Sequence, residues 1–140
     1  MTKQYNAKEC TFTVDDVIIT GFGESMVSGS KDEDDFEAVV GAQGDVIINE
    51  RNNDLGTVTA TVQATCPQYN FLLELARNRR VVPVWATNKS LGERFGGTKA
   101  RILKVPDVKN GAKAEDRELQ FKVFDYVVAV SYTHLRAHET

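Results

Sequence analysis

Residues 56–88 constrain the fold more than any other stretch, because the spacing of their apolar side chains changes twice. Residues 57–64, with the sequence Thr-Val-Thr-Ala-Thr-Val-Gln-Ala, alternate polar and apolar side chains without interruption. That alternation predicts a strand with one buried side and one side that faces water. Apolar side chains then recur at helical spacing through about residues 66–79, and residues 81–86 are again typical of a strand. The stretch therefore predicts a strand, a helix and a second strand, and we predict no other helix.

The ends of the helix are predicted from capping chemistry. Thr65 is expected to cap the first turn, Pro67 suits that turn because it lacks an N–H, and Gln68 is expected to reach back to the cap. The predicted buried stripe consists of Tyr69, Leu72, Leu73 and Ala76. The C-terminal end carries a basic cluster, Arg77, Arg79 and Arg80. We interpret this cluster as a solvated helix end, or as one side of a salt bridge between subunits, on a chain with a net charge of −3.

The remaining chain is predicted to form strands joined by turns and loops. Runs rich in β-branched and aromatic residues predict strands at residues 10–14, 17–22, 36–40, 45–50, 99–105 and 118–128. Loops are predicted at residues 23–35, 87–98 and 106–115. Pro83 lacks a backbone N–H, so its strand is expected at a sheet edge or with a bulge. The predicted fold is mostly β: an antiparallel β-sandwich or barrel of seven to eight strands with one flanking α-helix.

The two ends of the chain bound the expected domain. We expect one domain at residues 1–129 of the 140-residue chain. Residues 130–140 are similar to the translation of a transposon-type sequencing adapter, and we leave them out of the predicted fold. We find no secretory signal and no apolar run of membrane-spanning length, and we expect no membrane association. Cys10 and Cys66 lie far apart in the sequence and are expected to be reduced thiols.

Catalytic, cofactor and metal sites are not predicted. Residues 92–99 contain three glycines and a lysine, but their spacing differs from that of a phosphate-binding loop. Residues 32–35 are all acidic, yet they lack the alternating ligands and the closing glutamate of a calcium loop. Both histidines, His134 and His138, lie in the adapter-like segment, which leaves no zinc or triad pattern elsewhere. We therefore expect a protein that is not an enzyme and uses no cofactor.

Six segments carry a resemblance to a known protein family. They lie at residues 17–24, 31–34, 40–45, 52–57, 85–97 and 123–126. In the order of its elements the chain resembles the small tail tube proteins of contractile-tailed bacteriophages, and the related type VI secretion tube protein shares their fold. The segments are structural signatures and not catalytic motifs.

The resemblance implies two packed antiparallel sheets with a flanking helix, in a subunit that forms hexameric rings. The rings would stack into a tube inside a contractile sheath, and DNA would pass through the tube without specific binding. The implied partners are other copies of the chain and the sheath and baseplate proteins. The implied location is the tail of the virion, after assembly in the cytoplasm of the host bacterium.

The tube interpretation assigns roles to two sets of residues. Uncharged threonine and glutamine suit a wall that stays hydrated and does not hold a charged polymer. The strand at residues 57–65, with residues 45–50 as its partner strand, would line the channel. The expected lumen-facing residues are Thr57, Thr59, Thr61, Gln63, Asp45 and Asn49. The expected contacts between subunits, in the two long loops, are Asp32, Asp34, Asp35, Leu91, Arg94 and Phe95.

Two functions of other classes stay open from the residues alone. A ligand- or carbohydrate-binding β-sandwich would use an exposed aromatic side chain such as Trp85 as its anchor. An enzyme would use a carboxylate pair that only the fold brings together. Formation of rings or tubes distinguishes the structural role from both alternatives.

Overall fold

The computed structural model describes residues 6–130, apart from the side chains of Ala7, Glu24 and Ser25. In this part of the chain ten strands and one α-helix follow a 3₁₀ helix at Ala7–Glu9. The strands are β1 (Cys10–Val14), β2 (Val17–Ile19), β3 (Phe22–Lys31), β4 (Phe36–Val40), β5 (Val46–Glu50), β6 (Gly56–Val62), β7 (Val82–Asn88), β8 (Glu93–Ile102), β9 (Arg117–Val123) and β10 (Val127–Val130). The helix α1 spans Tyr69–Arg77, between β6 and β7. Among the described residues, no helix has the length and apolar character needed to cross a membrane.

Eight of the strands form one antiparallel sheet that curls almost into a barrel. The strand order is β2-β1-β7-β8-β9-β6-β3, and β10 also pairs with β8. The end strands β2 and β3 are separated in the chain only by residues 20–21, which keeps the two sheet edges near each other. The predicted mostly-β, barrel-like fold with one helix is confirmed. One curled sheet stands in place of the two packed sheets that the resemblance implies.

The core lies inside this curled sheet, and the alternation of the sequence decides which side chains enter it. The buried side chains of the central strands β6 and β9 are Val58, Ala60, Val62, Leu119, Phe121 and Val123. The ring of Phe121 meets that of Phe12 edge to face, with centroids 5.7 Å apart. The prediction that Val58, Ala60 and Val62 are buried is confirmed, because successive side chains of a strand point to opposite faces.

The helix is shorter than predicted, and its predicted cap is wrong. α1 is preceded by Gln68, whose side chain makes no capping hydrogen bond. The Gln68 Oε1 atom instead accepts hydrogen bonds from the backbone N–H (2.9 Å) and the hydroxyl (3.1 Å) of Thr20. A tertiary contact with Thr20, the residue after β2, therefore replaces the local cap expected from Thr65.

The buried stripe of the helix is narrower than predicted. Leu72 is fully buried, as predicted, but the second buried side chain is Leu75. Tyr69, Leu73 and Ala76 are half-buried. A helix of nine residues has only about two and a half turns, so its fully buried line passes through two positions three residues apart.

Two of the predicted loops are wrong. β3 occupies most of the predicted loop 23–35, and β7 and β8 leave only residues 89–92 of the predicted loop 87–98 as a turn. These segments are polar because an antiparallel strand with one solvated face needs few apolar side chains. Polarity alone therefore does not distinguish such a strand from a loop.

Pro83 lies in the middle of the sheet. β7 is flanked by β1 and β8, so the predicted edge position is wrong. The pairing register of β7 with β8 shifts between Val82 and Val84, which confirms the predicted bulge. Proline has no backbone N–H to donate, but the carbonyl of Pro83 still accepts a hydrogen bond from the Asp15 N–H at 2.8 Å.

The predicted final strand at residues 118–128 is interrupted once. β9 and β10 keep one register along β8, from Val123 opposite Ala100 to Val127 opposite Gly96. The chain leaves the ladder only between these two strands. This segment is therefore one long strand with a local break.

Asp125 lies at that break. Its carboxylate accepts hydrogen bonds from the backbone N–H groups of Thr98 (3.1 Å) and Lys99 (3.0 Å) on β8. The side chain thus satisfies donors that the interrupted strand leaves unpaired. Of the adapter-like residues 130–140, Val130 is the last residue of β10, and residues 131–140 lie outside the described residues.

β4 and β5 form a separate two-stranded ribbon that continues the β3–β6 pair outward. The Asp32 N–H donates to the Leu55 carbonyl (3.0 Å), and the Arg51 N–H donates to the Asp35 carbonyl (2.8 Å). The four strands therefore form one long hairpin whose outer part is separate from the main sheet. We call residues 32–55 the arm.

Candidate functional site

Three neighbouring strands present a continuous polar surface on the side opposite the core. Thr59 of β6 stands opposite Ser28 of β3 and Gln120 of β9. The flanking pairs of the same three strands have the same polar character. We call this surface the polar face; it consists of Ser28, Ser30, Thr57, Thr59, Thr61, Glu118, Gln120 and Lys122. The structure thus places the three predicted lumen threonines together on one face.

Asp32 ties the base of the arm to the polar face. Its carboxylate forms an ion pair with Lys122 and accepts a hydrogen bond from the Thr57 hydroxyl at 2.8 Å. The hydrogen bond from Lys122, followed by that from Thr57, lowers the pKa of the Asp32 carboxyl below its usual value. The lysine of the polar face is therefore paired within the chain, and Asp32 is not a free loop carboxylate.

The other predicted lumen residues are not brought to the polar face. Gln63 lies just past β6, where it is exposed and its N–H donates to the Gly21 carbonyl at 2.7 Å. Asp45 and Asn49 lie on the arm. The expected pairing of β6 with residues 45–50 is wrong within the chain, because β3 and β9 occupy both edges of β6.

A cleft of about 380 Å³ lies beside one end of the polar face. The β8–β9 loop, residues 103–116, forms its other wall with Lys104, Asp107 and Lys109. Lysines and carboxylates are mixed in this cleft. In residues 6–130, no group of three or more histidine, cysteine, aspartate or glutamate side chains is placed to hold a metal ion.

The arm exposes apolar side chains on both of its faces. All ten residues of β4 and β5 are exposed. The first face consists of Phe36, Ala38, Val40, Val46, Ile48 and Glu50. The second face consists of Glu37, Val39, Ile47 and Asn49. This surface was not predicted from the sequence, although consecutive apolar residues are typical of a strand that is covered on both sides.

Ion pairs brace the base of the arm. The guanidinium of Arg51 contacts the carboxylates of Glu33 and Glu37, each at 3.4 Å. Asp35 forms an ion pair with Lys31, and Asp34 is exposed beside it. Two of the predicted contact residues, Asp34 and Asp35, therefore lie where the arm leaves the sheet.

The second set of predicted contact residues is divided between turn and sheet. Leu91 lies in the β7–β8 turn and is exposed. Arg94 stacks on the ring of Trp85, with its guanidinium carbon 4.0 Å from the ring centroid. Phe95 packs against the core. A carbohydrate stacking on Trp85 would have to displace Arg94.

The two cysteines are not joined to each other. Cys66 is buried, and its Sγ atom lies 2.9 Å from the carbonyl oxygen of Thr20. Cys10 is half-buried at the start of β1. Cys66 therefore helps to fix the segment between β2 and β3 against the loop before α1.

Comparison with solved structures finds the same fold in components of contractile injection systems. The chain matches the cap that terminates the tube of the anti-feeding prophage with a TM-score of 0.65 and 10% identity, over 94% of each chain. It matches the sheath/tube terminator of the PVC extracellular contractile injection system with a TM-score of 0.65 and 10% identity, over 92% of this chain and 99% of that one.

A chain of the PVC sheath–tube complex in the extended state is also similar, with a TM-score of 0.61 and 10% identity over 91% of this chain and 93% of that one. Comparison of the sequence with protein-family models and with curated proteins finds no match. At this level of identity the likeness establishes the fold, and it extends over nearly the whole chain.

Proposed function

We propose that this chain is a structural subunit of the tube of a contractile injection apparatus, such as a bacteriophage tail. Copies close into hexameric rings, and the rings stack into a tube. The observation that carries the proposal is the likeness in fold, over at least 91% of this chain, to a tube-terminating cap, a sheath/tube terminator and a chain of a sheath–tube complex. The role is mechanical and requires no catalysis.

The edges of the sheet support assembly into rings. The main sheet has edges at β2 and β3. A further edge lies at β10, which pairs only with β8 among the described strands and whose four residues are exposed. Strand edges of this kind pair readily with another chain. Closure of a ring removes them, and head-to-tail stacking of rings produces an open filament.

The polar face supports a role as part of the channel wall. Its hydroxyl groups keep water at the surface, and its lysine is already paired with Asp32. Attraction of DNA phosphates depends on lysine and arginine side chains that exchange counterions for phosphate. A wall built from Thr57, Thr59 and Thr61 would therefore let DNA pass without specific binding. The proposed partners beyond other copies are the sheath and the baseplate, in a virion tail assembled in the host cytoplasm.

Assembly of the purified chain tests this proposal. The full chain is expressed in bacteria, its mass is measured by sedimentation velocity, and its particles are viewed by negative-stain electron microscopy. We expect rings of six copies, and tubes at higher concentration. A monomer at all concentrations contradicts the proposal and favours a ligand-binding β domain.

A tube terminator is the second candidate. It is favoured because two of the similar structures are a tube-terminating cap and a sheath/tube terminator. A tube subunit adds ring upon ring, whereas a terminator forms one ring that ends growth. If rings form but do not stack at any concentration, the chain would be identified as a terminator.

A further inference from the structure

We propose that the first face of the arm docks, in another copy of this chain, on a basic groove lined by Arg101, Leu103, Lys122 and Phe124. The proposal deepens the self-assembly proposed above and rests on it. It names the two surfaces that meet and the charges that align them.

The first face of the arm has the character of an interface. Phe36 is 52% exposed and Ile48 is 59% exposed, although both are large apolar side chains. No described part of the chain covers them, because the arm stands apart from the main sheet. Contiguous exposed apolar surface on a folded protein marks a site of contact with another molecule. Glu50 ends the apolar row on the same face.

The groove is a depression of about 190 Å³ over β8 and β9. Its lining includes Ile102, whose side chain is buried in the core, and Leu103 and Phe124, which are 50% and 43% exposed. Arg101 stands opposite Lys122 between these two apolar side chains. No ion pair within the described residues engages Arg101. The groove thus offers apolar contact together with a cation that has no carboxylate partner.

Charge distribution favours a second copy of this chain as the occupant. The arm holds eight carboxylates and one arginine, which gives it a net charge of −7. Because the net charge of the whole chain is −3, the remaining residues carry a net charge of +4. The arm and the rest of the chain therefore carry opposite net charges, and the arm of one copy can be attracted to the body of another. The arm's own Asp32 already contacts Lys122 of the groove, which leaves Arg101 for the incoming carboxylate.

The spacing of the two surfaces also agrees. Ile48 and Glu50 are two residues apart on one face of β5, and Leu103 and Arg101 are two residues apart at the end of β8. Two residues of a strand span roughly 7 Å. When β5 of one copy runs antiparallel to β8 of the other, contact of Ile48 with Leu103 places the Glu50 carboxylate level with the Arg101 guanidinium.

The small size of the arm predicts that a single contact between one arm and one groove is weak. Its strands are five residues each, so the face is about 17 Å long and about 10 Å wide. This is far less than the roughly 800 Å² per partner of a stable complex. The docked arm is stable only when many copies contribute, as in a closed ring or a stack of rings.

A charge exchange between the two surfaces tests the docking. Glu50→Lys and Arg101→Glu are each expected to lower the assembled fraction at least tenfold, and the double variant is expected to recover most of it. The fraction is measured by sedimentation velocity and negative-stain microscopy. Glu74→Lys on the exposed side of α1 and Lys113→Glu in the β8–β9 loop are matched controls that should assemble normally.

A second pair of variants tests the apolar contact. Ile48→Asp on the first face should prevent assembly, while Ile47→Asp on the second face should not, although both positions are equally exposed. Circular dichroism and thermal unfolding establish that each variant is folded. Normal assembly of the single charge variants or of Ile48→Asp overturns the docking and leaves the proposed function intact. A wild-type chain that never self-associates overturns both.

Discussion

At the scale of single residues, Arg117 shows how this small domain tolerates a buried charge. It is the one buried charged side chain among the described residues. Its guanidinium donates to the carbonyl of Lys109 (3.0 Å) and to the side-chain oxygen of Asn110 (3.2 Å), as well as to the carbonyl of Glu115. Carbonyl oxygens thus replace water around the cation. The Arg117 side chain therefore holds the β8–β9 loop against the sheet.

We expect Arg117→Ala to lower the free energy of unfolding by about 2–3 kcal/mol, because the charged hydrogen bonds that hold the β8–β9 loop are lost together with a buried side chain. Urea denaturation measures the change. Arg80→Ala, at an exposed arginine after α1, is the control and should change stability by less than about 0.5 kcal/mol. Equal effects of the two substitutions would show that the Arg117 hydrogen bonds do not stabilise the loop.

The acid sensitivity of the domain is expected to depend on Asp125. Burial raises the pKa of this carboxyl, but hydrogen bonds from the Thr98 hydroxyl and from the N–H groups of Lys99 and Thr98 outweigh that effect, and the pKa is lowered. An aspartate has a pKa of about 3.9 in an unfolded chain. The ionised carboxylate therefore stabilises the fold above about pH 4, and this stabilisation is lost as the pH falls through the lower folded pKa.

Asp125→Asn should accordingly reduce the dependence of stability on pH. Between pH 5 and pH 2, the free energy of unfolding of the wild-type chain should fall more steeply than that of the variant. Denaturant titrations at each pH measure the two curves. Parallel curves would mean that Asp125 contributes nothing to acid unfolding.

At the scale of elements, α1 and the long β9–β10 strand are fixed by contacts that are distant in sequence. The helix buries Leu72 and Leu75, and the Gln68 side chain before it bonds to Thr20. The strand is held through its break by the contacts of Asp125 with β8. In both elements a polar side chain at an end or a break supplies hydrogen bonds that regular structure does not.

Leu72→Ala should destabilise the fold by roughly 2–5 kcal/mol, since it removes a fully buried side chain and leaves a cavity. The neighbouring Leu73 is only half-buried, so Leu73→Ala should cost less than half as much. Thermal and chemical unfolding of both variants give the comparison. A larger loss for Leu73→Ala would place the buried side of the helix elsewhere.

At the scale of the whole molecule, the chain separates a neutral polar surface from a strongly acidic arm. The polar face combines hydroxyl groups with one carboxylate, one amide and one paired lysine. The arm carries eight of the chain's 20 carboxylates, with one arginine, and a large share of the exposed apolar surface. The proposed division of labour is that the arm of one copy contacts the next copy at the Lys122 edge of the polar face, while the rest of the polar face lines the channel.

Thr59→Lys combined with Thr61→Lys tests the proposed channel wall. Each hexamer would gain two rings of positive charge, which attract DNA phosphates over a Debye length of about 8–10 Å at physiological salt. Tubes should assemble normally, because neither side chain enters the core, but delivery of DNA should slow or fail. Phage infectivity and tail morphology by electron microscopy measure the outcome.

Thr59→Ser combined with Thr61→Ser keeps the hydroxyl groups and is the control. Lysine variants with normal tails and normal infectivity would argue against a position in the channel. Lysine variants that fold but form no rings would place the polar face at a contact between subunits.

The sequence by itself determined the local structure wherever one hydrophobic periodicity or one turn motif was enough to identify an element. The alternation of residues 57–62 predicted both faces of β6, and the strands β4 and β5 were predicted within one residue. The strands predicted at residues 10–14 and 17–22 leave only Asp15 and Asp16 between them, and both adopt the positive φ angles, 51° and 64°, that a two-residue hairpin turn requires.

Only the tertiary structure decided which elements meet. The partners of β6, the packing of the partly buried Phe95 against the core and the contact between Gln68 and Thr20 all join residues that are far apart in the chain, and the exposure of the arm depends on the absence of such contacts. Periodicity reports which side of an element avoids water, and it does not report what covers that side. The choice of partner depends on the sum of many weak contacts across the whole core, and no local pattern contains that sum.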